Sequence, residues 1–116
     1  MASNFATLPV VDPTIREELE LVGGAELLRK LVDMFFSDSA QLLQTIDTGK
    51  AADDSSSIAK AAHRLKGGAA AVGAQRVAAV AAQLELAAKE GHASRLEDAR
   101  DAVDAELASL RSHLAG

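Results

Sequence analysis

The sequence contains no cysteine, tryptophan or tyrosine, and it has only three phenylalanines. Without cysteine, the chain has no disulfides, thiolate metal ligands or cysteine nucleophiles. β-Branched residues are few and alanine is abundant, a composition that favours helices over strands. Gln75 and Arg76 interrupt the longest apolar stretch, so no transmembrane span is predicted. No basic segment followed by an apolar run opens the chain, so no signal peptide is predicted either.

The chain is acidic, with a formal net charge of -5. General binding to a nucleic-acid backbone needs clustered positive charge, which this composition disfavours. A length of 116 residues suits one domain, and an apolar content of 48% is enough for a packed core. We therefore expect one soluble, cytoplasmic domain with neither a nucleic-acid nor a membrane partner.

Apolar residues recur three to four positions apart through most of the chain, which is the spacing of amphipathic helices. Asp12-Pro13 has the pattern of a helix start, and Gly23-Gly24 ends that short helix. Longer helices are predicted at about 25–48, 55–72, 74–90 and 94–114, the last opened by a capping-box pattern at 94–97. Short connections make successive helices antiparallel. The expected fold is all-α, an up-down-up-down four-helix bundle (12–116) with a short additional N-terminal helix, preceded by an N-terminal arm (1–11).

His63 does not fit the apolar face of its predicted helix. With Ile58 at zero on a helical wheel of ~100° per residue, the apolar residues fall within ~40° of zero and His63 falls at ~140°. Its ring should therefore face solvent. A free imidazole is substantially neutral at cellular pH and keeps one nitrogen available as a nucleophile.

The surface around His63 combines small residues with positive charge. Gly67 and Gly68 each cost about 1 kcal/mol relative to alanine inside a helix, which a site needing close approach would justify. Lys66, three residues after His63, can reach over the ring towards a phosphoryl group. The neighbours expected to meet a partner are Ala59, Lys60, Arg64, Gly67 and Ala70. The broad apolar face of the helix predicted at about 25–48 suggests that Phe36 or Leu43 adds an exposed apolar strip beside them.

The segment Ala62-His63-Arg64-Leu65-Lys66-Gly67, followed by Gly73 and then Leu84-Glu85, resembles the signature of bacterial histidine-containing phosphotransfer (HPt) domains. Asp12-Pro13, Gly23-Gly24 and the acidic Asp54 nine residues before the histidine also match that family's layout. The resemblance covers the chain from about residue 11 to residue 114.

This resemblance implies a phosphocarrier in a multistep two-component phosphorelay. His63 would accept a phosphoryl group from a phospho-aspartyl receiver domain, such as that of a hybrid histidine kinase, and pass it to the receiver of a downstream regulator. Lys66 would stabilise the phosphoryl charge, Gly67 would leave room for the receiver, and Glu85 would orient the imidazole. Mg²⁺ would belong to the receiver, so the chain would need no cofactor or metal, and the family suggests a monomer.

Two other functions compete with this interpretation. A sensor-kinase dimerisation domain usually has an acidic residue directly after its histidine and a proline soon after, and Arg64 and the following residues fit neither. No glycine-rich nucleotide motif is present, so kinase activity from ATP is not expected. The remaining alternative is a catalytically silent helical bundle that binds a receiver or another partner without transferring phosphate.

Overall fold

A computed structural model describes residues 8–115. Four helices occupy nearly all of this range: α1 (Pro13–Ala51), α2 (Ser55–Ala71), α3 (Gln75–Glu90) and α4 (Ala93–Ala115). Connections of two or three residues join them, so successive helices run antiparallel and pack as neighbours. The all-α four-helix bundle predicted from the sequence is confirmed.

The first two predicted helices form one helical segment with a sharp break. Gly24 interrupts α1 with φ 73° and ψ -172°, a conformation that is essentially restricted to glycine. The short N-terminal helix therefore exists, but it continues into the long part of α1 through a kink rather than through a loop. The predicted N-terminal arm (1–11) lies largely outside the described residues.

Capping side chains explain where α1 and α2 begin, and the backbone conformation of a glycine explains where α3 ends. Asp12 caps α1 by accepting a hydrogen bond from the Thr14 amide at 2.9 Å, and Asp54 caps α2 by accepting from the Ser57 amide at 3.1 Å. Gly91 ends α3 in a left-handed conformation, with φ 66°. The last helix, α4, begins at Ala93, one residue before the predicted start at residue 94. Its first turn includes a hydrogen bond from the Leu96 amide to the His92 carbonyl at 2.9 Å.

The core lies between the apolar faces of the four helices. Its largest fully buried apolar side chains are Ile46, Leu65, Val77, Val80, Leu84, Val103 and Leu110. Burying one such side chain stabilises the fold by about 1.5–3 kcal/mol. Alanines such as Ala62, Ala69 and Ala81 are also fully buried, and their small size lets α2 and α3 approach closely.

Polar contacts close the bundle between its first and last helices. Arg100 on α4 donates to both carboxylate oxygens of Asp47 on α1, at 2.8 and 3.0 Å, and Lys50 pairs with Glu97. At the other end of the bundle, the Asp12 amide donates to the Gly73 carbonyl at 2.7 Å and ties the start of α1 to the α2–α3 turn. These contacts therefore tie α1 to α4 at one end of the bundle and to the α2–α3 turn at the other.

Candidate functional site

His63 lies on the solvent side of α2. Its side chain is 64% exposed, whereas Ala62 and Leu65 on either side of it along the chain are fully buried. The apolar face of α2 is thus committed to the core, which fixes the direction in which His63 projects. This is the orientation that its position on the helical wheel predicts.

Glu85 on α3 contacts the imidazole directly. Nδ1 of His63 lies 3.3 Å from Oε1 and 3.2 Å from Oε2 of Glu85. The three-residue turn between α2 and α3 and their antiparallel packing bring these two positions together although they are 22 residues apart. Glu85 is a nearly buried residue, with an exposed fraction of 8%, so its carboxylate is held at the edge of the core.

The contact determines which imidazole nitrogen is free. A hydrogen bond from Lys89, opposed by burial and reinforced by His63 and Lys66, lowers the pKa of Glu85 to about 2. The carboxylate is therefore ionised near neutral pH and can only accept hydrogen bonds. Nδ1 of His63 must donate, and in the neutral ring Nε2 then carries an unprotonated lone pair.

Two lysines complete the cluster around Glu85. Lys66 Nζ on α2 lies 3.3 Å from Oε1, and Lys89 Nζ on α3 lies 3.0 Å from Oε2. Both ammonium groups are therefore held beside the histidine by the same carboxylate. Lys89 was not among the site residues predicted from the sequence, although its position four residues after Glu85 is a recognisable signal for an ion pair on one helix face.

The two glycines after Lys66 have different surroundings. Gly67 is exposed, and a Cβ built there would meet nothing within 4 Å, so no contact inside the described chain requires glycine. Gly68 instead faces α1, where a Cβ would lie 3.5 Å from Cδ1 of Phe35 in ordinary van der Waals contact. The open space above Gly67 belongs to the same solvent-facing side of α2 as His63.

An open groove of about 960 Å³ runs between α2 and α3 beside His63. Lys60 and Arg64 are exposed at its α2 side, and Lys89 lines its α3 side. Ala59, which was expected on the exposed surface, is a buried residue and contributes only to the floor of the groove. Ala70 is exposed, as expected.

Phe36 was expected beside His63, and the structure places it elsewhere. Its ring lies under the guanidinium of Arg111 on α4, with the Arg111 Cζ 4.1 Å from the ring centroid. The broad apolar face of α1 is explained by contacts with both α2 and α4, so the part that carries Phe36 serves the α1–α4 boundary. Leu43 is likewise partly buried against the core.

The other two histidines, His92 and His113, are exposed. Within residues 8–115, no three histidine, aspartate or glutamate residues converge as a metal site would require. Among the described helices, none is both long and apolar enough to cross a membrane.

Comparison with known proteins identifies a similar family and a similar fold. Residues 30–113 match the model of the family described as Hpt domain. The structure is similar to the crystal structure of histidine-containing phosphotransfer protein B (HptB) from Pseudomonas aeruginosa PAO1, with a TM-score of 0.82 and 28% sequence identity over 90% of each chain. No curated protein sequence matches the chain significantly.

Proposed function

The chain belongs to the Hpt domain family, whose members have a histidine phosphotransfer role in phosphorelays, and from this premise we propose that His63 is its phosphoryl-carrying residue. His63 accepts a phosphoryl group from a phospho-aspartyl receiver domain and passes it to a second receiver. The donor receiver is that of a hybrid histidine kinase, and the acceptor is that of a downstream response regulator.

One observation carries this proposal: Nδ1 of His63 donates its proton to a hydrogen bond with Glu85, which leaves the lone pair on Nε2 available as a nucleophile. The ionised carboxylate, 3.2 Å from Nδ1, keeps the proton on that nitrogen. Nε2 is then the nucleophile, on a side chain that is 64% exposed to a docking protein. His92 and His113 have no comparable carboxylate contact among the described residues.

The transfer step needs no proton movement in the carrier. The Nε2 lone pair attacks the phosphorus of the aspartyl phosphate, a P–N bond forms, and the P–O bond breaks to return the aspartate carboxylate. The proton on Nδ1 stays in place, facing Glu85. In the onward transfer, an aspartate carboxylate of the second receiver attacks the phosphorus, a P–O bond forms, and the P–N bond breaks to return the neutral imidazole.

Charge and shape around His63 support phosphoryl transfer in different ways. Lys66 and Lys89 provide two cations beside the ring, and phosphoryl transfer depends chiefly on positioning and electrostatic stabilisation. The empty space above Gly67 leaves room for the receiver. The exposed Lys60, Arg64 and Ala70 extend the contact surface. Mg²⁺ and the remaining charges would come from the receiver, with no cofactor bound by the carrier.

The chain would then be a monomeric phosphocarrier that receives its phosphoryl group from other proteins. It acts in the cytoplasm, together with the ATP-dependent kinases that phosphorylate its donors, and has no kinase activity of its own.

The proposal is tested by following radiolabel from a panel of aspartate-phosphorylated receivers to the wild type and to His63→Gln. The matched controls are His92→Gln and His113→Gln, which remove the other exposed histidines. We expect label on the wild type and both controls but not on His63→Gln. The label should be lost in acid and survive base, as a phosphohistidine requires.

Folded protein that binds receivers but takes no label from any of them would contradict the proposal and favour a silent binder. Label that persists on His63→Gln would place the acceptor on another residue.

A further inference from the structure

The residue that faces Nδ1 is a carboxylate, although a neutral acceptor would suffice to orient the ring. A glutamine amide oxygen at position 85 could accept the same hydrogen bond. Both oxygens of Glu85 lie within 3.3 Å of Nδ1, and the residue is only 8% exposed. A glutamine would bring no negative charge to this position, whereas the Glu85 carboxylate acts on the ring from a place with little exposure to solvent.

This charge matters more once the histidine is phosphorylated. With the phosphoryl group on Nε2 and a proton on Nδ1, the ring is an imidazolium, and breaking the P–N bond returns the electron pair to Nε2 and releases a neutral imidazole. If Nδ1 loses its proton first, the same bond cleavage would have to release an imidazolate, which is a far stronger base and a poorer leaving group. The protonated form is therefore the reactive donor.

We propose that the Glu85 carboxylate sets the lifetime of the phosphorylated carrier by holding the proton on Nδ1 of phospho-His63. This inference rests on the proposed function of His63. Glu85 is a positioning residue with an electrostatic effect: it keeps the phosphoprotein in its reactive form, which speeds both transfer to a receiver and loss to water.

Other charged residues near the ring either weaken the effect of Glu85 or are too well solvated to change it much. Lys66 and Lys89 contact Glu85 and partly neutralise it. A phosphoryl group on Nε2 offers both lysines a second anionic partner, which leaves more of the Glu85 charge to Nδ1. The remaining charged residues that line the groove on α2 and α3 are Lys60, Arg64 and Glu90. These three are exposed and therefore better screened by water.

The test compares wild type, Glu85→Gln and Lys89→Gln, all in a background carrying His92→Gln and His113→Gln so that His63 is the sole histidine. Phosphoramidate, a small chemical donor, phosphorylates each protein without a receiver. The half-life of phospho-His63 is measured by ³¹P NMR from pH 5 to pH 10, and the protonation of Nδ1 by ¹⁵N NMR.

For Glu85→Gln we expect Nδ1 of phospho-His63 to lose its proton about one pH unit lower, so its half-life above that pH is up to about tenfold longer. Lys89→Gln should do the reverse and shorten the half-life, since Glu85 then loses a neutralising partner. Transfer to a receiver should change in the same direction as the rate of hydrolysis.

Identical pH profiles for the wild type and Glu85→Gln would overturn the inference, and so would a longer half-life for Lys89→Gln. If Glu85→Gln fails to fold or to take up phosphate, the change in the half-life of phospho-His63 in Lys89→Gln still tests the inference, since a shorter half-life supports it and a longer one contradicts it. The proposed function fails by a separate result, namely no transfer from any phosphorylated receiver to the wild type, because chemical phosphorylation does not depend on receivers.

Discussion

Replacing Gly67 with alanine should make the protein more stable and a poorer phosphate acceptor at the same time. Gly67 lies inside α2 with ordinary helical geometry, and a Cβ there would meet nothing within 4 Å. Alanine should therefore raise the free energy of unfolding by about 0.5–1 kcal/mol, the usual gain inside a helix. Thermal unfolding should move up by about 2–6 °C.

Docking should respond in the opposite direction, because the added methyl group would occupy the space that we propose the receiver uses. Overpacking of a tight contact costs about 1–3 kcal/mol, which corresponds to about a fivefold to 150-fold loss of affinity. The assay measures label transfer from a phosphorylated receiver as a function of carrier concentration, with phosphoramidate in parallel. Transfer from the receiver should slow, whereas the small donor should phosphorylate His63 in Gly67→Ala as fast as in the wild type.

Gly68→Ala is the matched control, since it makes the same change in the same helix at the next residue. Its methyl group would contact Phe35 rather than the solvent side of α2, so we expect a similar gain in stability with unchanged transfer. Two results would refute the reasoning: equal slowing by both variants, or a Gly67→Ala protein that is more stable yet accepts phosphate from receivers at the wild-type rate.

Four further outcomes are expected. Lys66→Ala should slow transfer by about tenfold to 150-fold in label-transfer assays, because a charge-assisted hydrogen bond of about 1.5–3 kcal/mol is lost, and Lys66→Arg should recover part of the rate. The ionised Glu85, whose pKa falls from 4.5 to about 2 on folding, should stabilise the fold fully above about pH 4.5 and progressively less towards pH 2; the stability difference between wild type and Glu85→Gln in urea unfolding should therefore shrink across that range. Leu84→Ala, at a fully buried position, should cost about 2–5 kcal/mol, whereas Leu86→Ala, at a position 55% exposed on the same helix, should stay within about 0.5 kcal/mol. Gly24→Ala should cost about 1–3 kcal/mol in the same urea experiment, because its backbone conformation is strained for any residue with a Cβ.

Local signals predicted most of the fold. Asp12 and Asp54 cap their helices through short-range hydrogen bonds to amides two and three residues away, and Gly91 ends α3 through its own backbone conformation. The outward direction of His63 follows from the periodicity of one helix. Each of these features depends on residues within one or two turns, so the sequence alone contains the necessary information.

Features that depend on how helices meet were harder to predict. Glu85 reaches His63 only because the turn between α2 and α3 sets the register of two helices, and this pair was expected only from the resemblance to a known family. The periodicity of α1 showed a broad apolar face but could not assign Phe36 to the α4 side, where Arg111 covers it. Ala59 was misplaced because a small residue near the edge of an apolar stripe becomes buried when the neighbouring helix packs closely.

Under the proposed function, the charges around His63 serve both to receive a phosphoryl group and to release it again. Lys66 and Lys89 attract the group, but both are already bound to Glu85, so their gain on phosphorylation is reduced by the contacts they give up. Glu85 repels the arriving negative charge while it favours the positive ring that phosphorylation creates. A carrier that bound the group more tightly would be a poorer donor to the next receiver. Lys89 pairs with Glu85 on the same helix, α3. We therefore expect Lys89 to affect the ratio between phosphoryl uptake from the donor receiver and transfer to the acceptor receiver more than the rate of either step.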